Sequence, residues 1–273
     1  MKHMRLMAVH AHPDDESIGT GGTLALYSSK GVRVVLVCAT RGEEGELHEV
    51  DSSQDPAELR TKELEAACRV LGISELRFLG YRDSGMAGTA ANQHPEAFCN
   101  ADPLEASGRL ADILREVRPQ VVITYNERGF YGHPDHVAAN RITHLALKQA
   151  RKAGPNGESP WDVPRLFYTA APRSRLLKME AALKARGQGG LPYPVEFLGT
   201  EDDEIKAWID VRDFLQVKLQ AIACHKSQLG PHSLIHRLPP ELYQEALGTE
   251  CYVWVKGDPG VKGKIFDLFW DLQ

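Results

Sequence analysis

The chain has 273 residues, of which 42% are hydrophobic and 25% are charged, a composition that is ordinary for a soluble globular protein. Its formal net charge of −5 gives no general attraction to nucleic acid or to an acidic membrane surface. No apolar run approaches the ~18 residues that a membrane span needs, so we expect a cytoplasmic protein with neither a nucleic-acid nor a membrane partner.

Strand and helix patterns alternate through the first half of the chain. The apolar runs predict buried strands at residues 5–12, 32–40, 76–80 and 120–126. The helical patterns lie between and after them, at residues 19–30, 56–71, 103–117 and 134–153. This alternation predicts a Rossmann-like, doubly wound α/β fold, with a mostly parallel sheet and helices on both faces.

The second half of the chain is less regular. Breaker-rich stretches at residues 154–164 and 187–194 flank a predicted strand at 165–170, and a helix at 211–228 precedes a late strand at 251–256. We predict one domain over residues 1–273. Residues 1–153 would form its core, and residues 154–273 would extend the sheet, cover the site and shape the substrate pocket.

Charged side chains follow two of the predicted strands at the point where each strand ends. The run HPDDE occupies positions 12–16, after the first strand, and YGHPDH occupies positions 131–136, after the strand at 120–126. Ligands of open α/β sheets bind at the carboxyl ends of the strands. If both strands belong to one parallel sheet, both runs open on the same edge and share one metal ion.

Histidine and carboxylate side chains are the ligands that catalytic zinc uses, three from the protein with one position left for water. His12, Asp15 and His136 would supply this set. The same three ligands would also bind iron(II) or another divalent ion. A metal lowers the pKa of its bound water, and an adjacent carboxylate can take the proton. Asp14 is the carboxylate left free for this role.

His133 lies three residues before His136, near the start of a predicted helix. From the residues alone it is either a fourth metal ligand or the group that stabilises an oxyanion and protonates the leaving nitrogen. We predict that Asp135 hydrogen-bonds the His133 imidazole and keeps it protonated. The plainer alternative is that each HPD is a helix cap with proline in the first turn. Two such motifs after buried strands would then leave unneutralised charges, which are costly.

The motifs also carry a resemblance. The segments RLMAVHAHPDDES, TRGEEGE, YRDSGMAGT and YGHPDHV resemble, in this order, segments of the LmbE-like, or PIG-L, family of zinc-dependent N-deacetylases, and more closely those of its mycothiol branch. The resemblance covers most of residues 4–141 and a later stretch at 221–228. It implies a Rossmann-like fold and removal of an acetyl group from an N-acetylglucosamine-type glycoside, similar to GlcNAc-inositol, by metal-activated water.

The resemblance implies roles that agree with those assigned from ligand chemistry. His12, Asp15 and His136 would be the zinc ligands, and Asp14 the general base. His133 would handle the tetrahedral intermediate.

The resemblance also implies roles for further residues. Asp135 would orient His133, and Tyr131 matches a mobile tyrosine that contacts the oxyanion. Arg60 and Asp83 match residues that hold sugar hydroxyls. His225, in the segment ACHKSQ, is expected from its place at a helix end to line the pocket.

Two alternatives stay open. An amidase that cleaves mycothiol-type thiol S-conjugates would use the same site, although the segment RDSGMAGT favours the deacetylase. A non-catalytic sugar- or metal-binding protein would hold zinc and sugar but release no acetate, and the presence of Asp14 beside every implied ligand argues against it. The expected partner is a small-molecule amino sugar. The sequence leaves its aglycone open, as it does a homo-oligomeric assembly.

Overall fold

Seven strands of this computed structural model form one sheet. The structure describes residues 1, 3–49, 53–231, 233–257 and 260–272. The strands are β1 (Arg5–His10), β2 (Arg33–Cys38), β3 (Glu75–Phe78), β4 (Val121–Thr124), β5 (Arg165–Ala170), β6 (Ala207–Asp210) and β7 (Thr249–Lys256). Their order in the sheet is β3-β2-β1-β4-β5-β7-β6. Strands β1 to β5 pair in parallel, whereas β7 is antiparallel to both of its neighbours.

Helices cover both faces of this sheet. They are α1 (Asp15–Ser29), α2 (Pro56–Leu71), α3 (Pro103–Val117), α4 (Gly129–Gly132), α5 (Pro134–Ala150), α6 (Arg173–Ala185), α7 (Val195–Leu198), α8 (Leu215–Cys224), α9 (Leu234–Arg237) and α10 (Tyr243–Leu247). Helices α1, α2 and α8 pack on one face, and α3 and α5 pack on the other. The predicted doubly wound, mostly parallel sheet is therefore confirmed. Among the described residues, none of the helices combines the length and the hydropathy of a membrane span.

Local capping explains why two helices begin and end where the sequence predicts. The Asp55 side chain accepts a hydrogen bond from the Ala57 N–H at the start of α2, and Gly72 ends that helix in the left-handed conformation at φ 70°. Asp102 caps α3 in the same way and precedes a proline at the first helical position. Such caps satisfy backbone groups that the helix itself leaves free.

Other elements differ from the prediction. Helix α1 begins at Asp15, not at residue 19, so the last two residues of the HPDDE run lie in its first turn, where negative charge is favoured by the helix dipole. The predicted helix at 211–228 is shorter, because α8 is flanked by single 3₁₀ turns. Helix α6 and the four-residue edge strand β6 were not predicted.

Strand β7 connects the C-terminal part of the chain to the first helix. Its Glu250 carboxylate accepts hydrogen bonds from the backbone N–H groups of Gly22, at 2.9 Å, and Thr23, at 2.7 Å. The same carboxylate pairs with Lys218 of α8 at 2.6 Å. Residues from α6, α7 and α10 form a separate apolar cluster that also contacts Phe130 and Tyr131. The C-terminal part thus extends the sheet and covers its carboxyl edge, as predicted, while the division at residue 153 stays a prediction.

The close approach of α1 to Val211 gives a stability test. A Cβ at Gly22 would lie 2.6 Å from the Val211 Cβ, an atom that cannot swing aside. Overpacking of this kind costs about 1–3 kcal/mol, more than the ~1 kcal/mol that alanine gains over glycine in a helix. We therefore expect Gly22→Ala to lower the free energy of unfolding measured by urea denaturation.

The matched control is Gly19→Ala in the same helix. A Cβ at Gly19 meets nothing within 4 Å, so its unfolding free energy should rise by about 0.5–1 kcal/mol. Equal stabilisation by both substitutions would contradict the packing argument.

Candidate active site

The two charged runs meet because β1 and β4 are neighbours in the sheet. The first run leaves β1 and enters α1, and the second leads from β4 through α4 into α5. Both open at the carboxyl edge of the parallel strands, which is where ligands of such sheets bind. A helix cap is also present, since the His133 Nδ1 accepts the Asp135 backbone N–H at 3.2 Å. The cap and the site are therefore built from the same residues.

Three potential metal-ligand atoms converge at this edge. The His12 Nδ1 lies 3.5 Å from the Asp15 Oδ2 and 3.3 Å from the His136 Nε2. The Asp15 Oδ2 and the His136 Nε2 are 3.4 Å apart. Ligand atoms about 2.0–2.2 Å from a tetrahedral ion lie roughly 3.3–3.6 Å from one another. The predicted set of His12, Asp15 and His136 therefore has the spacing and the chemistry to hold a divalent ion.

The ionisation of the Asp15 carboxylate agrees with a role in metal binding. Burial disfavours the Asp15 carboxylate, but His136 and His12 outweigh it and hold its pKa well below the usual range. The Tyr125 hydroxyl donates a further hydrogen bond to the Asp15 Oδ2 at 2.6 Å. An ionised carboxylate whose position is fixed by a neighbouring hydroxyl is the form that a metal requires.

The other ring nitrogen of His12 faces two carboxylates. The His12 Nε2 lies 3.3 Å from the Asp135 Oδ2 and 3.4 Å from the Asp83 Oδ1. Burial would lower the pKa of His12, yet Asp83, Asp135 and Asp15 outweigh it and raise that pKa well above its ordinary value. A carboxylate on the second nitrogen fixes the orientation of a metal-bound histidine. His12, Asp83 and Asp135 also form a second compact group of potential ligands.

The predicted hydrogen bond between the Asp135 carboxylate and the His133 imidazole is wrong. The Asp135 Oδ2 accepts from His12 and from the Ser84 backbone N–H at 2.9 Å, and its Oδ1 has no partner within the described part of the chain. The carboxylate faces His12, and the hydrogen bond to His133 comes from the Asp135 backbone N–H. Asp135 therefore supports the predicted metal ligand.

His133 is also not held protonated. Burial, followed by the neighbouring His12 and His136, lowers its pKa to about 3. Because the His133 Nδ1 accepts a backbone N–H, the hydrogen-bonding pattern assigns the ring proton of the neutral form to Nε2. Nitrogens of His12, His133 and His136 all lie within 4.8 Å of one another. The role as a fourth ligand and the role as a hydrogen-bond donor both stay open.

Asp14 occupies a strained backbone position beside the three ligand atoms. Its φ of 97° lies where side chains are rarely tolerated, and such strain is often found at functional sites. Burial raises the pKa of Asp14 to about 6, with Asp15 adding to the effect and Arg60 opposing it. The side chain keeps 23% of its surface exposed, so a water molecule can reach the predicted base.

The predicted substrate-binding residues Arg60 and Asp83 both support loops. Arg60 is 3% exposed and donates to the carbonyl oxygens of Pro13, at 2.6 Å, and Gly42, at 2.7 Å. Asp83 accepts the backbone N–H groups of Gly85 and Glu44. These bonds hold the loops after β1, β2 and β3 together. Contact of either side chain with a substrate stays a prediction.

A cavity of about 330 Å³ leads away from the ligand atoms. Asp14, Asp15, His136 and Tyr131 border one end, and the C-terminal part supplies its apolar wall, which includes Leu176, Met179 and Leu247. The Tyr131 ring stacks on Tyr193 with centroids 5.2 Å apart, and burial raises the pKa of its hydroxyl. Tyr131 therefore keeps its proton as a hydrogen-bond donor beside the site.

Glu16 is the last residue of the HPDDE run, and its sequence position alone does not decide between a helix cap and a partner for a histidine. Glu16 is fully buried, and its Oε1 lies 2.8 Å from the Nε2 of His225. His225 was predicted to line the pocket, and its ring borders a small apolar cavity of about 140 Å³. Only the adjacency of Glu16 to the metal-ligand motif signals its importance in the sequence, because its partner lies 209 positions away.

The contact between Asp135 and His12 gives a test of the metal site. Replacing a group that orients a metal ligand typically lowers metal affinity by about 10–100-fold. We expect this loss for Asp135→Asn in a competition titration with a chromophoric chelator. Asp112→Asn on α3, whose carboxylate pairs with Arg115 away from the site, is the matched control. Equal affinities for the two variants would contradict the orienting role.

Comparison with known proteins agrees with the resemblance found in the sequence. Residues 7–147 match the PIG-L family, described as GlcNAc-PI de-N-acetylase. A relative from Acidothermus cellulolyticus, named 1D-myo-inositol 2-acetamido-2-deoxy-alpha-D-glucopyranoside deacetylase, is 43% identical over 287 residues, covering 97% of this chain and 94% of the relative.

Solved structures share the fold at low identity. The N,N'-diacetylchitobiose deacetylase from Pyrococcus horikoshii superposes with a TM-score of 0.62 at 22% identity, covering 98% of this chain and 86% of that one. GalB, the 4-carboxy-2-hydroxymuconate hydratase from Pseudomonas putida KT2440, gives 0.65 at 21% identity, covering 96% and 99%. Since a deacetylase and a hydratase share this architecture, the fold alone does not select the reaction.

Proposed function

Because the chain belongs to the PIG-L family, a family of de-N-acetylases, we propose that it removes the N-acetyl group from GlcNAc-inositol. The chain is a hydrolase that acts on an amide bond. The inositol aglycone is proposed because relatives that are about 40% identical over nearly the whole chain bear the name of a deacetylase of that glycoside. Their names favour the deacetylase over the S-conjugate amidase.

The observation that carries the proposal is the group of three ligand atoms with a carboxylate beside it. His12, Asp15 and His136 would hold the ion, and we propose zinc because two histidines and one carboxylate form a common catalytic zinc set. Iron(II) fits the same donors. The ion supplies Lewis acidity at the site when it is bound.

Asp14 is the proposed general base. Its pKa of about 6 leaves it ionised at neutral pH and able to accept the proton of an attacking water, and a base is most effective when its pKa lies near the working pH. The proton that Asp14 takes up is then available for the departing amine. Because the pKa of His133 is lowered to about 3, its imidazole is neutral near pH 7 and lacks the extra proton that this step requires.

His133 and Tyr131 are the proposed donors to the developing oxyanion. The neutral His133 ring carries its proton on Nε2, and the Tyr131 hydroxyl keeps its proton because of burial. Donors that are aimed in advance at a developing negative charge stabilise a transition state without reorganising. Tyr131 follows Phe130, which has a positive φ of 63°, so this short segment is held in an unusual conformation at the edge of the site.

The test is acetate and free-amine release, measured by mass spectrometry on the zinc-loaded protein. The panel contains GlcNAc-inositol, free N-acetylglucosamine, N,N'-diacetylchitobiose and a mycothiol-type S-conjugate. We expect turnover of GlcNAc-inositol at a kcat/KM above that of every other compound. Cleavage of the S-conjugate alone would make the chain an amidase, and binding without acetate release would make it a sugar-binding protein.

A further inference from the structure

A buried acid–imidazole pair lies directly behind the proposed base. Glu16 and His225 are 0% and 1% exposed, and the His225 Nε2 donates to the Glu16 Oε1 at 2.8 Å. The Ser17 hydroxyl donates to the same oxygen. Charged groups this deep are costly unless they are paired and hydrogen-bonded. Neither residue is among the proposed metal ligands or proton-transfer groups.

The other oxygen of Glu16 holds the base itself. The Glu16 Oε2 accepts the backbone N–H of Asp14 at 3.0 Å. On the opposite side, Arg60 donates to the carbonyl oxygen of Pro13, the residue before it, at 2.6 Å. Both polar groups of the Pro13–Asp14 peptide, its carbonyl oxygen and its N–H, are thus hydrogen-bonded to side chains. A residue held at φ 97° needs such support, because an isolated chain would relax from that conformation.

His225 is itself fixed by bonds that involve neither the metal ligands nor the base. It follows α8, which packs against α1 and α2. Two residues later, the Ser227 backbone N–H and hydroxyl donate to the Glu63 carboxylate at 2.8 and 2.7 Å. These bonds anchor the turn that carries His225. The C-terminal part of the chain is therefore linked to the base by two hydrogen bonds, from His225 to Glu16 and from the Asp14 N–H to Glu16.

We infer that Glu16 and His225 form a positioning pair that holds the strained backbone of Asp14, and with it the direction of its carboxylate. The inference rests on the proposed function only for the role of Asp14 as base. The Asp15 carboxylate is fixed separately by the Tyr125 hydroxyl and the His12 N–H. Loss of the pair should therefore misdirect the base while the metal ligands keep their places.

Two substitutions of His225 distinguish the hydrogen bond to Glu16 from the packing of a side chain of this size. His225→Met keeps an apolar side chain of similar size but has no donor for Glu16. His225→Gln places an amide N–H close to the position of the imidazole Nε2. Because a misplacement of about 1 Å can cost roughly 10²-fold in rate, we expect His225→Met to lower kcat by about 10–100-fold with KM within about 3-fold. His225→Gln should recover most of that loss.

The matched control is His144→Gln. His144 is a partly buried histidine of α5 whose ring bonds the Tyr168 hydroxyl, away from the ligand atoms. Its kcat should equal that of the wild type. Metal content and the folded fraction of every variant are measured at the assay temperature, so that loss of metal or of fold is separated from loss of positioning.

A crystal structure of His225→Met supplies a readout that needs no turnover. We expect Asp14 to leave its positive φ, while the spacing of His12, Asp15 and His136 is retained. An unchanged Asp14 conformation would overturn the inference, as would an unchanged kcat or a loss of activity fully explained by lost metal. If the wild type releases no acetate from any compound, the proposed function fails. The conformation of Asp14 in the variant then still decides whether the pair positions it.

Discussion

Asp14→Asn should lower the rate of acetate release by about 10²–10⁴-fold, the range expected when a general base is removed. Asparagine is close in size and cannot accept the proton of the attacking water. The three ligand atoms belong to other residues, so the variant should still bind one metal ion per chain. Steady-state acetate release, with metal content measured on the same sample, checks both expectations. A rate within about 3-fold of the wild type would remove Asp14 from the mechanism.

The same variant should gain stability in the metal-free protein. The pKa of Asp14 is raised from 3.8 to about 6 by folding, so its charged form opposes the folded state. This destabilisation is absent below the unfolded pKa, grows as the pH rises towards 6, and is constant above it. Because the side chain is partly exposed, we expect a gain on the order of 1–2 kcal/mol for Asp14→Asn at pH 7.5.

Urea denaturation at two pH values tests whether the charged form of Asp14 opposes folding. The stability difference between Asp14→Asn and the wild type should be larger at pH 7.5 than at pH 5. A difference that is the same at both values would mean that the Asp14 charge does not oppose folding.

His136→Ala should abolish metal binding and activity together. The substitution removes one of the three converging ligand atoms, and two remaining ligands rarely retain a catalytic ion. We expect a loss of metal affinity greater than the roughly 10–100-fold for Asp135→Asn. Metal content after dialysis against a weak chelator, followed by acetate release, measures both effects. Added metal should also raise the Tm of the wild type but not that of the variant, because a ligand of the folded state stabilises it.

His3→Ala is the control for this prediction. His3 is exposed and lies just before β1, at the opposite end of that strand from the ligand atoms. Its variant should bind metal and release acetate like the wild type. Full metal occupancy in His136→Ala would show that the ion is held elsewhere.

Ligand chemistry and chain order were sufficient to predict that the three proposed metal ligands lie close together. His12 and Asp15 follow β1, and His136 lies in the first turn of α5, which β4 reaches through α4. In a parallel sheet the ends of such strands share one edge, and the buried apolar runs that form β1 and β4 are clear in the sequence. The three atoms then meet because these two strands are adjacent.

Which carboxylate faces which imidazole could not be predicted in the same way. Asp83, Asp135 and Asp15 all lie within reach of His12, and the choice among them depends on side-chain directions set by turns. Asp135 lies two positions from His133 in the sequence, yet its carboxylate faces His12. The pair of Glu16 and His225 joins residues 209 positions apart, and no spacing rule covers such a distance. The backbone strain at Asp14 is also invisible without coordinates.

The position of β7 bears on how the protein emerges from the ribosome. Both HPD motifs are synthesised by residue 136, yet β5 acquires its second neighbour only when residues 249–256 have been made. Until then one edge of the nascent sheet is open to pairing with other chains, and the N–H groups of Gly22 and Thr23 lack the Glu250 carboxylate. A nascent chain released before residue 249 would thus carry every proposed metal ligand on an unfinished, aggregation-prone sheet.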